Sequence, residues 1–134
     1  MKRERENRNY TVELTFCSKE GITPRERVAI KDTSDCLKFD DLCKVDHVVV
    51  HVDFYAILTI HNAGADDNQD YSMIVVVDKD GTRYVTGSAS FITAFEDIYD
   101  ELSDADALDE MVIDVHTKDS TKRPGKYFIT CSLT

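Results

Sequence analysis

Two cysteines and two histidines in the first half of the chain have a spacing that could hold a metal ion. Cys36, Cys43, His47 and His51 form a Cys-x6-Cys-x3-His-x3-His pattern, and both residue types are common zinc ligands. The β-branched residues around the two histidines, however, predict a strand, in which positions four apart are separated by about 13 Å. Two imidazoles at that distance cannot share one ion. The sequence therefore predicts no metal site and no cofactor.

Residue patterns typical of enzymes give no clear candidate. The sequence lacks a Ser-His-Asp order and a phosphate-binding glycine loop, and its five glycines are few for a nucleotide site. Asp66, Asp67 and Asp70 lack the alternating oxygen ligands of a calcium loop. Carboxylates are abundant, but no pair among them is distinguished as a general acid and base. We therefore predict a protein without catalytic activity.

Charge is distributed very unevenly along the chain. Twenty of the 26 acidic residues lie in residues 32–114, where four cations leave a net charge of −16, whereas residues 1–31 and 115–134 each carry +3. The total is −10. Such a charge distribution acts on partners and association rates rather than on the fold.

The acidic residues are concentrated at the end of a predicted helix. The negative end of the helix dipole favours Lys or Arg there by about 0.3–1 kcal/mol each. All charged residues of this helix end, however, are Asp or Glu. Such a conflict with local stability is typical of functional surfaces, although acidic residues also serve solubility. Carboxylates that take the place of phosphates would bind a basic host protein that normally binds nucleic acid. The four residues proposed for this face are Asp97, Asp100, Glu101 and Asp104.

Hydrophobic periodicity predicts strands with one late helix. An apolar stripe at Phe91, Phe95, Ile98 and Leu102 predicts the helix, and Asp-Gly at 80–81 predicts a tight hairpin turn. Asp53 marks a bulge or break, and residues 32–46 are equally consistent with a short helix or a loop. The predicted strands are 10–16, 27–31, 47–60 (one long bent strand or two), 72–77, 82–86, 111–116 and 127–133, the helix is 88–103, and 61–70 is a polar loop.

These elements predict an α+β fold dominated by antiparallel sheet, resembling a small OB-like barrel with the helix inserted between the hairpin and the last two strands. We expect residues 1–134 to form a single domain, with 1–8 as a flexible basic arm. The four cysteines are expected to be free thiols. No apolar run of membrane-spanning length and no signal peptide is visible, which predicts a cytoplasmic protein without membrane contact.

Two stretches of the sequence are similar to known proteins. They are residues 81–102, GTRYVTGSASFITAFEDIYDEL, and residues 125–133, GKYFITCSL. Together they resemble small accessory proteins of phages and mobile elements, some of which are described as binding single-stranded DNA. The resemblance implies a barrel that binds single strands through a cationic groove and base-stacking aromatic residues. Its candidate nucleic-acid-binding residues are Arg83, Tyr84, Lys118, Lys122, Arg123 and Lys126, the arm residues Arg3, Arg5 and Arg8, and the stacking platforms Tyr10, Phe54 and Tyr55.

The sequence thus supports three interpretations of the protein's function, of which the first two are the main ones. The first is a non-catalytic single-stranded DNA-binding protein of a phage or mobile element, whose cations must be segregated because a body of charge −10 repels DNA within about 8 Å. The alternative is an acidic anti-defence inhibitor of the anti-CRISPR type, which mimics nucleic acid and binds a basic host effector. A third is a homo-oligomeric scaffold that uses an exposed strand edge.

Overall fold

A computed structural model describes residues 10–62 and 70–134. The predicted arm at 1–8 and most of the predicted loop at 61–70 lie outside the described residues. The described elements are β1 (Tyr10–Cys17), α1 (Pro24–Lys31), β2 (Leu37–Lys38), α2 (Phe39–Leu42), β3 (Val48–Asn62), β4 (Asp70–Asp78), β5 (Arg83–Thr86), α3 (Ala89–Asp104), β6 (Val112–Asp119) and β7 (Tyr127–Leu133).

The strands form one curled sheet, which confirms the predicted α+β class with mainly antiparallel pairing. Their order is β2-β5-β4-β3-β6-β7, with β1 also paired to β3, and β2 alongside β5 is the parallel pair. The sheet curls into a half-barrel, and α3 lies between the β4–β5 hairpin and the last two strands in the chain, as the sequence predicts.

The long strand β3 organises the sheet, because it is 15 residues long and has different neighbours at its two ends. Its first residues, 48–51, pair with β6, whereas residues 56–62 pair with β1 on that same side. The pairing with β4 shifts register between Val52 and Phe54, which places a bulge at Asp53. Of the two alternatives that the sequence left open, one long strand and two strands, the structure has the single strand, with a bulge at Asp53.

The central strands are apolar on both faces because helices cover both sides of the sheet. Ile74 and Val76 of β4 lie in a core with α3, whereas Val75 and Val77 lie in a second core that includes Ile30 of α1. Strands that are buried on both faces have continuous apolar runs instead of alternation. The run at residues 74–77 thus follows from its position between the two cores.

The tight hairpin between β4 and β5 is confirmed. Gly81 has a φ of 92°, the left-handed conformation that glycine adopts without steric cost. Asp78 is buried before the turn, and its carboxylate accepts hydrogen bonds from the Asp80 N–H at 2.9 Å and the His51 N–H at 3.0 Å. The carboxylate of Asp78 therefore stabilises the turn and also joins it to β3.

Helix α3 is also confirmed, with both ends one residue later than the predicted 88–103. The Ser88 hydroxyl caps it by accepting a hydrogen bond from the Phe91 N–H at 3.2 Å, and Phe91 and Phe95 are fully buried. The hydroxyls of Ser88 and Ser90 donate to the carbonyl oxygen of Ile129 at 3.3 and 2.8 Å. The beginning of α3 is thereby fixed to the beginning of β7.

The predicted strand at residues 27–31 is wrong, since these residues form the second half of α1. The Thr23 side chain accepts from the Glu26 N–H, and the Glu26 carboxylate accepts from the Thr23 N–H, both at 3.1 Å. This reciprocal pair is a capping box, and Pro24 at the first helical position strengthens it. Helix initiation by these residues outweighs the strand preference of Val28 and Ile30.

Residues 32–46 match neither a single helix nor a loop. They form a short 3₁₀ turn at Thr33–Asp35, then β2, then the one-turn helix α2. Phe39 is fully buried, and its ring stacks on the ring of Tyr84 with centroids 4.9 Å apart. Within residues 10–62 and 70–134, none of the helices combines the length and the apolar content that crossing a bilayer requires.

Candidate functional site

The hairpin formed by β6 and β7 presents a cluster of exposed cations. Its strands pair without interruption from Ile113 with Leu133 to Asp119 with Tyr127. The connecting loop ends in a turn in which the Lys126 N–H donates to the Arg123 carbonyl at 3.0 Å and Gly125 has a φ of 84°. Pro followed by a glycine of positive φ is the signature of a type II turn. The loop therefore has a defined backbone on which its cations are displayed.

Four cations of this hairpin point into solvent. Lys118 is the last but one residue of β6, and the other three, Lys122, Arg123 and Lys126, lie in the loop. All four are exposed, and none of them forms an ion pair with a carboxylate of the described residues. Because Asp119 is the one acidic residue in 118–126, this tip carries a net charge of +3. Binding of single-stranded DNA to a protein of net charge −10 requires positive charge that is separated from the acidic surface, and the hairpin tip provides it.

Two aromatic residues beside these cations were not among the sequence candidates. Tyr127 is 56% exposed and Phe128 is 37% exposed. Phe128 lies directly opposite Lys118 and shares its face of β7 with Thr130, whereas Ile129 and Cys131 on the other face are buried. The sequence carried this signal, since Phe128 stands in the polar phase of the alternation in β7. Cations and exposed rings on one hairpin are the components of a single-strand binding surface.

Arg83 and Tyr84, the candidates on the other hairpin, make contacts within the protein. A guanidinium nitrogen of Arg83 donates to the carbonyl of Ala29 in α1, and another lies 3.8 Å from the Asp35 carboxylate. The ring of Tyr84 packs parallel to that of Phe39. These two side chains link β5 to α1 and α2, and the structure does not bring them together with the β6–β7 cations.

The other predicted platforms are also not grouped with the cations. Tyr55 is 3% exposed, and its hydroxyl donates to the Glu96 carboxylate at 3.1 Å. Phe54 is half-buried, with the ammonium of Lys19 5.3 Å from its ring centre. The side chain of Tyr10 and the arm residues Arg3, Arg5 and Arg8 lie outside the described residues.

The second candidate surface, the acidic face of α3, is exposed as a stripe. Asp97, Asp100, Glu101 and Asp104 are spaced at i, i+3, i+4 and i+7, which places them on one side of the helix. All four are exposed, and none forms an ion pair with a cation of the described chain. The last turn of α3 contains no basic residue. The four carboxylates therefore form one acidic stripe that no cation of the described residues neutralises.

The acidic stripe and the basic hairpin lie toward opposite ends of α3. Ser90, at the beginning of the helix, contacts Ile129 next to the exposed aromatic residues. At a rise of about 1.5 Å per residue, Asp97 is about 10 Å and Asp104 about 21 Å further along the axis. All four residues of the stripe thus lie beyond the screening distance of about 8 Å from the start of the helix. The acidic charge is separated from the hairpin tip.

The four residues of the zinc-like pattern are dispersed. Cys36 lies in the core that contains Ile30, whereas Cys43 lies in the core that contains α3. His47 and His51 are exposed on the opposite side of β3 from the buried Val50. Burial raises the pKa of the thiols of Cys36 and Cys43, and it raises the pKa of Cys131 to about 12. Across the part of the chain that the structure describes, no group of three His, Cys, Asp or Glu side chains is arranged to hold a metal ion.

Two histidines that are distant in sequence share one carboxylate. His47 Nδ1 lies 2.7 Å from one oxygen of Asp114, and His116 Nδ1 lies 3.1 Å from the other. Partial burial favours the neutral form of Asp114, but the hydrogen bonds from His47 and His116 prevail and lower its pKa. Sequence reasoning missed this cluster, because it depends on the pairing of β3 with β6.

Comparison with known proteins finds no matching family model, no similar curated protein and no similar solved structure.

Proposed function

We propose that the protein binds single-stranded DNA, without catalysis, through the tip of the β6–β7 hairpin. The observation that carries the proposal is the combination, on one hairpin, of the exposed ring of Phe128 with four exposed cations that form no ion pair with a described carboxylate. Phosphates would contact Lys118, Lys122, Arg123 and Lys126, and a base would stack on Phe128, which lies on the same face as Lys118. Since every base has a π-face, this arrangement predicts binding with little sequence preference.

The structure of the hairpin supports this proposal over one centred on Arg83 and Tyr84. Those two side chains already have partners inside the fold, so binding through them would require breaking the contacts with Ala29 and Phe39. The loop cations form no such contacts with described carboxylates. We also propose that the half-barrel, with its helix before the last two strands, is a variant of the OB type, whose loops commonly contact single strands.

Fluorescence anisotropy with labelled oligo-dT over a salt series tests the proposal. If the four cations each replace a counterion, the slope of log K against log salt is about −3, since single strands give about −0.7 per contact. A duplex of the same length is the comparison, and it should bind more weakly because its bases are not available for stacking. Absence of oligo-dT binding at low salt would contradict the proposal.

The acidic stripe on α3 favours a second candidate function. We propose as the alternative that Asp97, Asp100, Glu101 and Asp104 imitate a phosphate backbone and bind a basic groove of a host protein. Four carboxylates on one side of a helix, without a cation among their described neighbours, are the specific observation. Charge complementarity of this kind mainly increases association rate and specificity.

A binding assay tests this alternative: a purified RNA-guided effector from a bacterial host binds DNA, and this protein is added as the inhibitor. The expected result is inhibition that is lost when the four stripe residues are changed to Asn or Gln. Glu20→Gln, Asp35→Asn, Asp41→Asn and Asp119→Asn together form a control with the same charge change at exposed positions elsewhere. Equal inhibition by both variants would contradict a role for the stripe.

A further inference from the structure

Three of the four histidines lie on one outer face of the sheet, beside the proposed binding hairpin. Cross-strand pairing places Val49 next to Asp114 and Asp114 next to Ser132, while His116 pairs with Thr130. The opposite face of these strands is buried, including Val50, Ile113 and Val115. His47 and His51 are exposed, and Val49 is 44% exposed, so solvent reaches this outer face, which is formed by β6, β7 and the first part of β3.

The outer face continues directly from the hairpin tip. Lys118 and Phe128 form one cross-strand pair, and His116 and Thr130 form the next pair on the same face. Side chains two residues apart on a strand point the same way and are about 7 Å apart. A strand of nucleic acid stacked on Phe128 would therefore meet His116 next as it leaves the tip.

The charge around Asp114 on this face depends on the protonation of the two imidazoles that contact its carboxylate. With His47 and His116 neutral, the group that they form with Asp114 carries −1, and with both protonated it carries +1. The other charged or titratable groups on this face are Asp46, whose carboxylate lies 3.9 Å from His47 Nε2, Lys118 on β6, and His51, which pairs with Val112. From β7 this face receives Phe128, Thr130 and Ser132, all uncharged. Protonation thus changes the local charge by two units next to the proposed site.

We propose that single-stranded DNA bound at the hairpin extends over this outer face and that its binding is coupled to proton uptake by His47 and His116. The inference rests on the proposed function. A polyanion near the face stabilises the imidazolium form, and by linkage protonation must strengthen the binding of the polyanion to the same degree. The phosphate backbone is thereby recognised by a surface whose positive charge increases as these imidazoles take up protons.

Anisotropy with labelled oligo-dT at constant ionic strength, from pH 5.5 to pH 8.5, tests the coupling. The affinity of the natural chain is expected to rise about tenfold toward the acidic end, the size of a typical coupling between sites. The double variant His47→Gln, His116→Gln is expected to lose this rise. The matched control is His61→Gln, because His61 lies near the other end of β3 with Glu13 and Asp70, and it should keep the rise.

The imidazole signals in NMR spectra give a second readout that does not need the double variant to fold. The titration midpoints of His47 and His116 should move to higher pH when oligo-dT is added, whereas that of His61 should not move. Binding that is independent of pH, or midpoints unchanged by oligo-dT, would overturn the coupling but leave the hairpin function intact. Absence of oligo-dT binding at every pH would instead overturn the proposed function and this inference with it.

Discussion

Lys118 on β6 and Phe128 on β7 are direct cross-strand partners on the outer face of the last hairpin. The pair joins a cation to an aromatic ring that is 37% exposed, and the loop that follows Lys118 adds three further exposed cations. Cross-strand side chains stand about 4.5–5.5 Å apart at Cβ, so one nucleotide can contact both, its base on the ring and its phosphate near the ammonium. This pair is the structural centre of the proposed function.

Replacement of Phe128 by Ala should weaken oligo-dT binding without changing its salt dependence. Loss of one stacking platform is expected to reduce the binding free energy by about 1–3 kcal/mol, while the number of phosphate contacts stays the same. The measurement is anisotropy over a salt series. Tyr71→Ala is the control, because Tyr71 is 47% exposed on β4, away from the hairpin. Equal losses in both variants would show that Phe128 has no special role.

Neutralising the end of the acidic stripe should raise the stability of the protein. Asp100→Asn, Glu101→Gln and Asp104→Asn remove negative charges from the negative end of the α3 dipole, and each is expected to add about 0.3–1 kcal/mol to the free energy of unfolding. Urea unfolding at low ionic strength measures the gain. The variant Glu20→Gln, Asp41→Asn, Asp119→Asn carries the same charge change. If the free energy of unfolding of this control variant rises by as much, general charge repulsion and not the helix dipole causes the gain in stability.

The capping box at the start of α1 predicts a measurable loss on truncation. Thr23→Ala removes the acceptor of the Glu26 N–H and should lower the free energy of unfolding by about 0.5–2 kcal/mol. Thr121→Ala, at an exposed position in the β6–β7 loop, is the matched control and should have little effect. Chemical denaturation followed by circular dichroism compares the two variants. A similar loss in both would mean that the capping box contributes no more than an exposed loop threonine.

Stability should decline as pH rises through the titration of His61. Hydrogen bonds to Glu13, at 3.4 Å, and to Asp70, at 3.2 Å, raise the pKa of His61 above its ordinary value. A raised folded-state pKa stabilises the fold below the unfolded pKa, about 6.5, and this contribution disappears as pH passes the folded pKa. Urea midpoints between pH 5.5 and 8.5 should therefore fall less for His61→Gln than for the natural chain. Identical pH profiles would show that the contacts of His61 in β3 with Glu13 in β1 and Asp70 in β4 do not contribute to stability.

Local sequence signals were sufficient to predict those elements whose structure depends on residues close together in the chain. The Asp-Gly step and the Ser88 cap with its apolar stripe each led to the observed element, whereas Asp53 between two β-branched runs left one bent strand and two strands open. The predicted strand at 27–31 is wrong because the Thr23–Glu26 capping box starts a helix there, which periodicity alone does not indicate. The Thr-x-x-Glu pattern of this capping box is visible in the sequence.

Other features were beyond reach of the sequence because they depend on pairing between distant residues. β2 has two residues and pairs with β5, and no periodicity can indicate so short a strand. The cluster of His47, Asp114 and His116 requires the register of β3 on β6. The same holds for Arg83 and Tyr84, whose types suggested a ligand but whose neighbours prove to be Ala29, Asp35 and Phe39.

Charge reversal of the hairpin is the most direct test of the central claim. The variant changes Lys118, Lys122, Arg123 and Lys126 to Glu, and the control changes Arg25, Arg27, Lys38 and Lys44, which are also exposed, to Glu. Both alter the net charge equally, so they differ only in the position of the charges. If the hairpin is the site, anisotropy at low salt shows oligo-dT binding abolished in the first and largely kept in the second. Equal affinities of the two variants would contradict the account.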